Sequence, residues 1–261
     1  MQKQWWGEFE FGLGEAAYWL IGSRQIALKR LEAEWNVWDV EGLELEGINN
    51  LVQGQLLEDD LPDDKWLSRH LFKATDDRIL ILPALADRPI TSRPSRSLNI
   101  MPGEASRLFV STPLWFQVLT LSKKQCFFDK PFWRPSDSWF GPSTIEGEMC
   151  YSKHTDARLN LALIERRSHR AITPVNVIND SNQPLLIDRF NLPVPMLSLF
   201  SDSAGYLWTE ALTVTRESDE EVVLTLDKKA PSEADNAQRV AAPRIEVSKH
   251  RLIRSLSSLF A

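Results

Sequence analysis

Tyr206-Leu207-Trp208-Thr209-Glu210-Ala211-Leu212-Thr213-Val214-Thr215 is the stretch that decides the fold class. Side chains of an extended chain point to alternate faces. Tyr206, Trp208, Leu212 and Val214 therefore share one apolar face. Glu217-Ser218-Asp219-Glu220-Glu221 follows as a polar turn, and Val222-Val223-Leu224-Thr225-Leu226 returns as a strand with β-branched residues. The whole reads as a β-hairpin.

The same period recurs outward from this hairpin. Leu159, Leu161 and Leu163 alternate with Arg158, Asn160 and Ala162, and Trp115, Gln117, Leu119 and Leu121 with Phe116, Val118 and Thr120. Pro174-Val175-Asn176-Val177-Ile178-Asn179 reads as a strand, Asp180-Ser181-Asn182 as its turn, and Leu185-Leu186-Ile187-Asp188-Arg189-Phe190 as the return. Pro193 and Pro195 end regular pairing, since proline has no N–H to donate. Residues 15–35 read as two strands broken at Gly22-Ser23, although their Ala, Leu, Glu, Lys and Arg content also suits a helix. Turn signals at short, regular intervals point to an all-β, antiparallel β-sandwich, one large or two fused, over residues 1–228, with a possible subdivision near 125.

Two stretches break the pattern. Residues 41–64 are acidic and read as a short helix and loop, or a flap. Residues 229–244 include Ala230-Pro231-Ser232-Glu233-Ala234-Asp235-Asn236 and read as a flexible linker, because they hold almost no large apolar residue. In residues 245–261, Leu252, Ile253, Leu256, Leu259 and Phe260 fall at helical spacing beside Lys249, His250, Arg251 and Arg254. A short C-terminal amphipathic helix is expected, docking on its own domain, on a protein partner or second copy, or peripherally on an anionic membrane.

The 261 residues are 43% hydrophobic and 25% charged, an ordinary globular mix that needs no disulfide or metal staple. Cys126 and Cys150 are expected as a reduced, buried pair. The net charge of −6 argues against general nucleic-acid binding, which needs a basic face. The N-terminal Met1-Gln2-Lys3-Gln4-Trp5-Trp6-Gly7 carries no apolar signal stretch, and no window approaches a membrane span, so a cytoplasmic location is expected.

Several motifs invite a functional reading. Gly12-Leu13-Gly14-Glu15-Ala16-Ala17 matches GxGxxA, but Glu8 and Glu10 interrupt the strand before it, so a glycine turn is the better reading. His154, Asp156 and His169 form a loose metal-like set. Ser152-Lys153-His154-Thr155-Asp156 looks like a turn, however, and ordinary exposed histidines are favoured. The carboxylates of 58–64 lack the spacing of an EF-hand and read as a solvated loop. No metal and no cofactor is expected. Ser143 sits in a turn, not in a nucleophile elbow. Ten tryptophans are unusual. Phe127-Phe128, Phe132-Trp133 and Trp139-Phe140 read as plugs for the sandwich ends or, alternatively, as an aromatic groove. Asp188-Arg189 is the best candidate for a groove-lining ion pair, against a solvated pair on an edge strand.

The chain also resembles a family known as domain of unknown function 432. The resemblance rests on Trp6-Gly7, Trp19-Leu20-Ile21-Gly22, Glu34-Trp35 and Pro102-Gly103. It continues through Phe109-Val110-Ser111-Thr112-Pro113-Leu114-Trp115, Trp139-Phe140-Gly141-Pro142 and Gly147-Glu148-Met149-Cys150-Tyr151. Asp188-Arg189-Phe190-Asn191-Leu192-Pro193-Val194-Pro195 and Leu207-Trp208-Thr209 complete it. It implies archaeal and bacterial relatives without an assigned activity, some beside mechanosensitive channel genes, and supplies no catalytic residues. The expectation is a non-catalytic binding or accessory module, which the resemblance associates with a membrane-channel system. Its ligand site would involve Trp139, Tyr151, Asp188 and Arg189, and its tail helix a partner. The alternative is a hydrolase-like or metal-dependent enzyme using the same four residues.

Overall fold

The computed structural model describes residues 4–42, 51–143, 145–247 and 251–260, with backbone alone for 153–156. The chain is all-β and divides into two compact units. The division interleaves three stretches of chain per unit, so no single cut near residue 125 separates them.

The first unit comprises Met1–Pro83, Leu114–Trp133 and Arg167–His169. Its five-stranded antiparallel sheet runs edge to edge as Leu51–Leu56, Ala16–Ile21, Arg24–Arg30, Glu34–Val40 and Leu67–Leu71. Its four-stranded sheet runs Gly7–Glu10, Arg78–Ala84, Trp115–Thr120 and Cys126–Pro131. Aromatic rings fill the space between the sheets: Phe9 meets Trp19 edge to face at 5.1 Å, Phe11 meets Trp35 at 5.1 Å, and Phe116 lies 5.7 Å from Trp19. Trp5 stacks on Phe116, abuts Phe132, and donates its indole N–H to Ser168 O at 2.9 Å. This is a sandwich held by aromatic area and ring geometry, each such pair adding about 0.5–1.5 kcal/mol beyond its burial. Phe116, Phe128 and Phe132 are buried in this core; of the other aromatics read as plugs, Phe140 is buried, whereas Trp133 and Trp139 are each 38% exposed. The two strands of residues 15–35 break at Gly22, whose φ of +60° is the left-handed turn that glycine adopts without penalty. Arg24 is buried and pairs with Asp39 and Glu41, while its guanidinium also donates to Pro131 O.

The second unit comprises Ala84–Pro113, Arg134–Arg166 and Arg170–Ala261. A sheet of twelve described strands is built around Arg170–Asn179, which pairs antiparallel with Ala105–Pro113 and parallel with Leu207–Thr209 and Leu212–Arg216. Glu148–Arg158 continues that sheet beside Ala105–Pro113, with Ile90–Pro94 and then Phe190–Leu192 beyond it. The hairpin of Leu212–Arg216 and Glu221–Leu226 forms as the sequence indicates, from Leu212 opposite Leu226 to Arg216 opposite Val222. The stretch 206–215 is nevertheless two strands, broken at Glu210-Ala211.

Other expectations are corrected. Leu185–Ile187 does not return beside Arg170–Asn179. It pairs with Leu98–Ile100, and Phe190–Leu192 pairs with Ile90–Pro94. Leu161–Leu163 is a 3₁₀ turn with Leu159 and Leu163 exposed, because Asn160 accepts the Ala162 N–H and caps it. Residues 152–156 lie within the strand Glu148–Arg158 and are not a turn. In the acidic 41–64 stretch, Leu51–Leu56 is a strand and Glu58–Asp60 and Asp64–Trp66 are 3₁₀ turns, while 43–50 fall outside the described residues. Cys126 is exposed and Cys150 buried, both as thiols.

Residues 229–244 are not a free linker. Ala234 belongs to a core cluster with Phe109, Ile164, Ile172 and Trp208, and Ala230 and Ala237 pack against it. Glu233 takes a bidentate pair from Arg107 at 2.8 and 2.9 Å, and Gln238–Ala241 pairs with Leu199–Ser201. The tail is corrected likewise. Arg251–Ser255 is a strand on Glu221–Leu226, and the helix is one turn, Leu256–Leu259. Leu259 and Phe260 are buried, Phe260 bridging Phe190 of the same chain, whereas Ile253 is 69% exposed.

Candidate functional site

Among the described residues, three cavities carry polar chemistry. The first lies within the first unit, where the edge strands Gly7–Glu10 and Leu51–Leu56 leave the inner faces open. It holds about 290 Å³ and is walled by Phe9, Phe11 and Trp19, with Gln53, Gln55, Glu10 and Glu15 around them. Trp19 and Gln53 stand opposite each other in the antiparallel ladder, so their side chains share a face. Trp19 Nε1 and Gln53 Oε1 are both buried and neither finds a hydrogen-bond partner in the protein. Leaving a buried donor or acceptor unmatched costs about 1–3 kcal/mol each. Trp35 and Trp38 also keep buried, unmatched indole N–H groups, but they line none of these cavities.

The second cavity, of about 380 Å³, is in the second unit and surrounds Glu210. Glu210 follows the strand Leu207–Thr209, and its side chain is turned inward, 6% exposed. Burial pushes its carboxyl from the ordinary 4.5 up to about 7, although Oε2 accepts the Ser198 N–H at 2.7 Å and Arg239 favours the charged form. Asp227, Lys228, Arg239 and Glu246 complete a lining of mixed charge.

The third cavity, of about 500 Å³, is also in the second unit and is lined by Arg93, Pro94, Ser95, Arg96, Ser97, Asp188 and Arg189. It forms where two neighbouring strands change sheet together. Ile90–Pro94 leaves the large sheet and re-emerges as Leu98–Ile100 in the two-stranded sheet, while Leu185–Ile187 and Phe190–Leu192 make the reverse crossing beside it.

Against this geometry stands the sequence comparison. The model of the family described as protein of unknown function (DUF432) matches residues 5–260. The chain belongs to that family. No curated protein and no solved structure matches it.

In this DUF432 chain the four residues singled out from sequence do not form one site. Asp188 and Arg189 line the third cavity; Trp139 and Tyr151 line none of the three. Trp139 is 38% exposed, lies opposite Met149, and donates its indole N–H to Ser143 O at 2.7 Å. Tyr151 is buried and donates to Asp87 at 2.9 Å, with the Arg88 and Arg134 guanidiniums over its ring and both arginines paired with Asp137. Burial first, and the neighbouring Asp87 next, keep that phenol protonated by raising its pKa. Burial likewise raises the Cys150 thiol, beside Thr91 at 3.3 Å, which disfavours the thiolate that a nucleophile would need. Among the described residues no group of three or more His, Cys, Asp and Glu side chains is arranged to hold a metal ion. The side chains of His154 and Asp156 lie outside the described set. Among the described residues no helix is long and apolar enough to cross a membrane.

The sequence motifs do not single out Glu210 or Gln53. The signal for Glu210 was a lone carboxylate in the run Leu207-Trp208-Thr209-Glu210-Ala211-Leu212. The signal for Gln53 was a polar residue at alternate spacing from Leu51, hidden by reading 41–64 as an acidic loop.

Proposed function

We propose that this chain is a non-catalytic binding module whose ligand site is the cavity between Trp19 and Gln53. The observation that supports it is a pair of buried, unmatched polar atoms, one donor and one acceptor, on two residues that stand opposite each other in a ladder and both line one aromatic-walled cavity. A planar, largely apolar molecule bearing an amide answers both. Its carbonyl accepts from Trp19 Nε1, its N–H donates to Gln53 Oε1, and its ring packs among Phe9, Phe11 and Trp19. The volume of about 290 Å³ sits at the small end of ligand pockets, which suits a single-ring ligand. The test is saturation-transfer NMR with benzamide as probe on the wild type and on Gln53→Leu. Binding by the wild type, weakened about five- to tenfold in the variant, supports the site, in line with about 1 kcal/mol for one hydrogen bond. Equal binding by both proteins, or none by either, refutes it.

One observation favours a second reading, acid–base chemistry of hydrolytic type. Glu210, with its carboxyl near 7, shares a cavity with Asp227 and Glu246, and carboxyl groups held in different environments can divide the roles of acid and base. A panel of nitrophenyl esters and glycosides checks it. Turnover with a pH profile breaking near 7, lost in Glu210→Gln, would move the assignment from module to enzyme.

A further inference from the structure

We infer that the sheet-crossing corner formed by Arg93, Arg96 and Arg189 is a binding site for a phosphate group carried by a small molecule or a lipid headgroup. The inference concerns the second unit and is independent of the Trp19–Gln53 cavity.

Topology brings the charges together. Arg93 and Arg96 lie on the crossing between Ile90–Pro94 and Leu98–Ile100, and Asp188 and Arg189 on the crossing between Leu185–Ile187 and Phe190–Leu192. Because both strand pairs are antiparallel and adjacent, the two crossings lie side by side. The Ser97 hydroxyl donates to Asp188 Oδ1 and ties one crossing to the other. Arg189 is further fixed from below. Its guanidinium carbon sits 5.0 Å from the ring centroid of Phe140, which is itself buried. Stacking on a ring face leaves the edge of the guanidinium, with its forked N–H donors, available in plane.

Among the described residues no carboxylate forms an ion pair with Arg93, Arg96 or Arg189. Among the described residues, three guanidiniums and one carboxylate leave an excess of two positive charges in one concavity, in a chain whose net charge is −6. Such an excess matches a phosphomonoester, which carries nearly two negative charges at neutral pH, better than a monovalent carboxylate. The Ser95 hydroxyl supplies a further donor in the lining. At about 500 Å³ the cavity has room for more than the phosphate itself, so the group attached to it is also accommodated.

Asp188 gives the proposal a sign. A carboxylate beside a bound phosphate opposes it, so Asp188→Asn should tighten phosphate binding, whereas Arg189→Gln and Arg96→Gln should weaken it. The experiment is calorimetric titration of the full chain with glycerol 3-phosphate, with parallel co-sedimentation on phosphatidylcholine vesicles with and without phosphatidic acid. The wild type should bind in at least one arm, and more weakly as salt is raised. Binding should fall at least tenfold in each arginine variant, rise in Asp188→Asn, and stay unchanged in Arg69→Gln, an exposed arginine of the first unit paired with Glu34. Glycerol 3-phosphate binding assigns a soluble phosphomonoester; binding only to phosphatidic acid vesicles assigns a lipid headgroup. Arg189→Lys should recover only part of the loss, since a point charge lacks the fork. No saturable binding in either arm, equal loss in Arg69→Gln, or weaker binding in Asp188→Asn would overturn the site. Unchanged melting temperatures show that the variants are folded.

Discussion

Glu210 couples the fold to pH in a way its position dictates. Below about pH 4.5 its carboxyl is protonated in both the folded and unfolded chain. Between 4.5 and about 7 only the folded chain retains the proton, so the unfolded state gains ground as pH rises, and the effect levels off above 7. This one group therefore withdraws on the order of 3 kcal/mol of stability across that window, at about 1.4 kcal/mol per pH unit. Glu210→Gln keeps an oxygen to accept the Ser198 N–H and mimics the protonated acid. The variant should be the more stable protein at pH 8 by about that amount and should match the wild type near pH 4. Urea denaturation at the two pH values measures this, and a variant less stable than wild type at pH 8 would show that the charged carboxylate is well solvated.

At the scale of elements, the tail changes role. The strand Arg251–Ser255 covers Glu221–Leu226, and Leu259 and Phe260 are buried on the same chain. Burying two large apolar side chains contributes about 3–6 kcal/mol. Deleting residues 251–261 should therefore lower the melting temperature by roughly 10 °C and leave a bare strand edge prone to association. A truncated protein that melts within 2 °C or so of wild type would restore the tail to a partner-docking role. The elements also show what the sequence makes legible. Alternation around Leu212 and Val214 reveals the hairpin because Leu212–Arg216 is buried at every second residue and its partner strand is adjacent in the chain. Residues 185–190 also read as strand yet pair elsewhere, because an apolar run reports an extended chain and says nothing of the neighbour. The period of 3.6 read into 252–260 came from apolar residues that the chain divides between a strand and one helical turn. Residues 229–244 looked like a linker because alanine carries little hydrophobic signal, although Ala234 fits beside Trp208. Of the candidate sites, Asp188 and Arg189 were visible as charges in an apolar strand. The arginines that join them lie some 95 residues earlier, and only the crossing of two strand pairs brings the groups together.

At the scale of the molecule, each unit has its own core and its own cavities. The first is a sandwich whose open edge holds the Trp19–Gln53 pair; the second concentrates positive charge at a corner of an acidic chain. On the readings proposed above, neither arrangement needs a nucleophile or a metal to hold its ligand, which is the sense of a binding module. A module of this kind receives its ligand between Trp19 and Gln53. The most direct measurement is a crystal structure of the protein with benzamide. The ring is expected between Phe9, Phe11 and Trp19, with the amide oxygen about 3 Å from Trp19 Nε1 and the amide nitrogen about 3 Å from Gln53 Oε1. A cavity closed over its own side chains, or one whose two polar atoms are matched by ordered water while benzamide stays out, would contradict it.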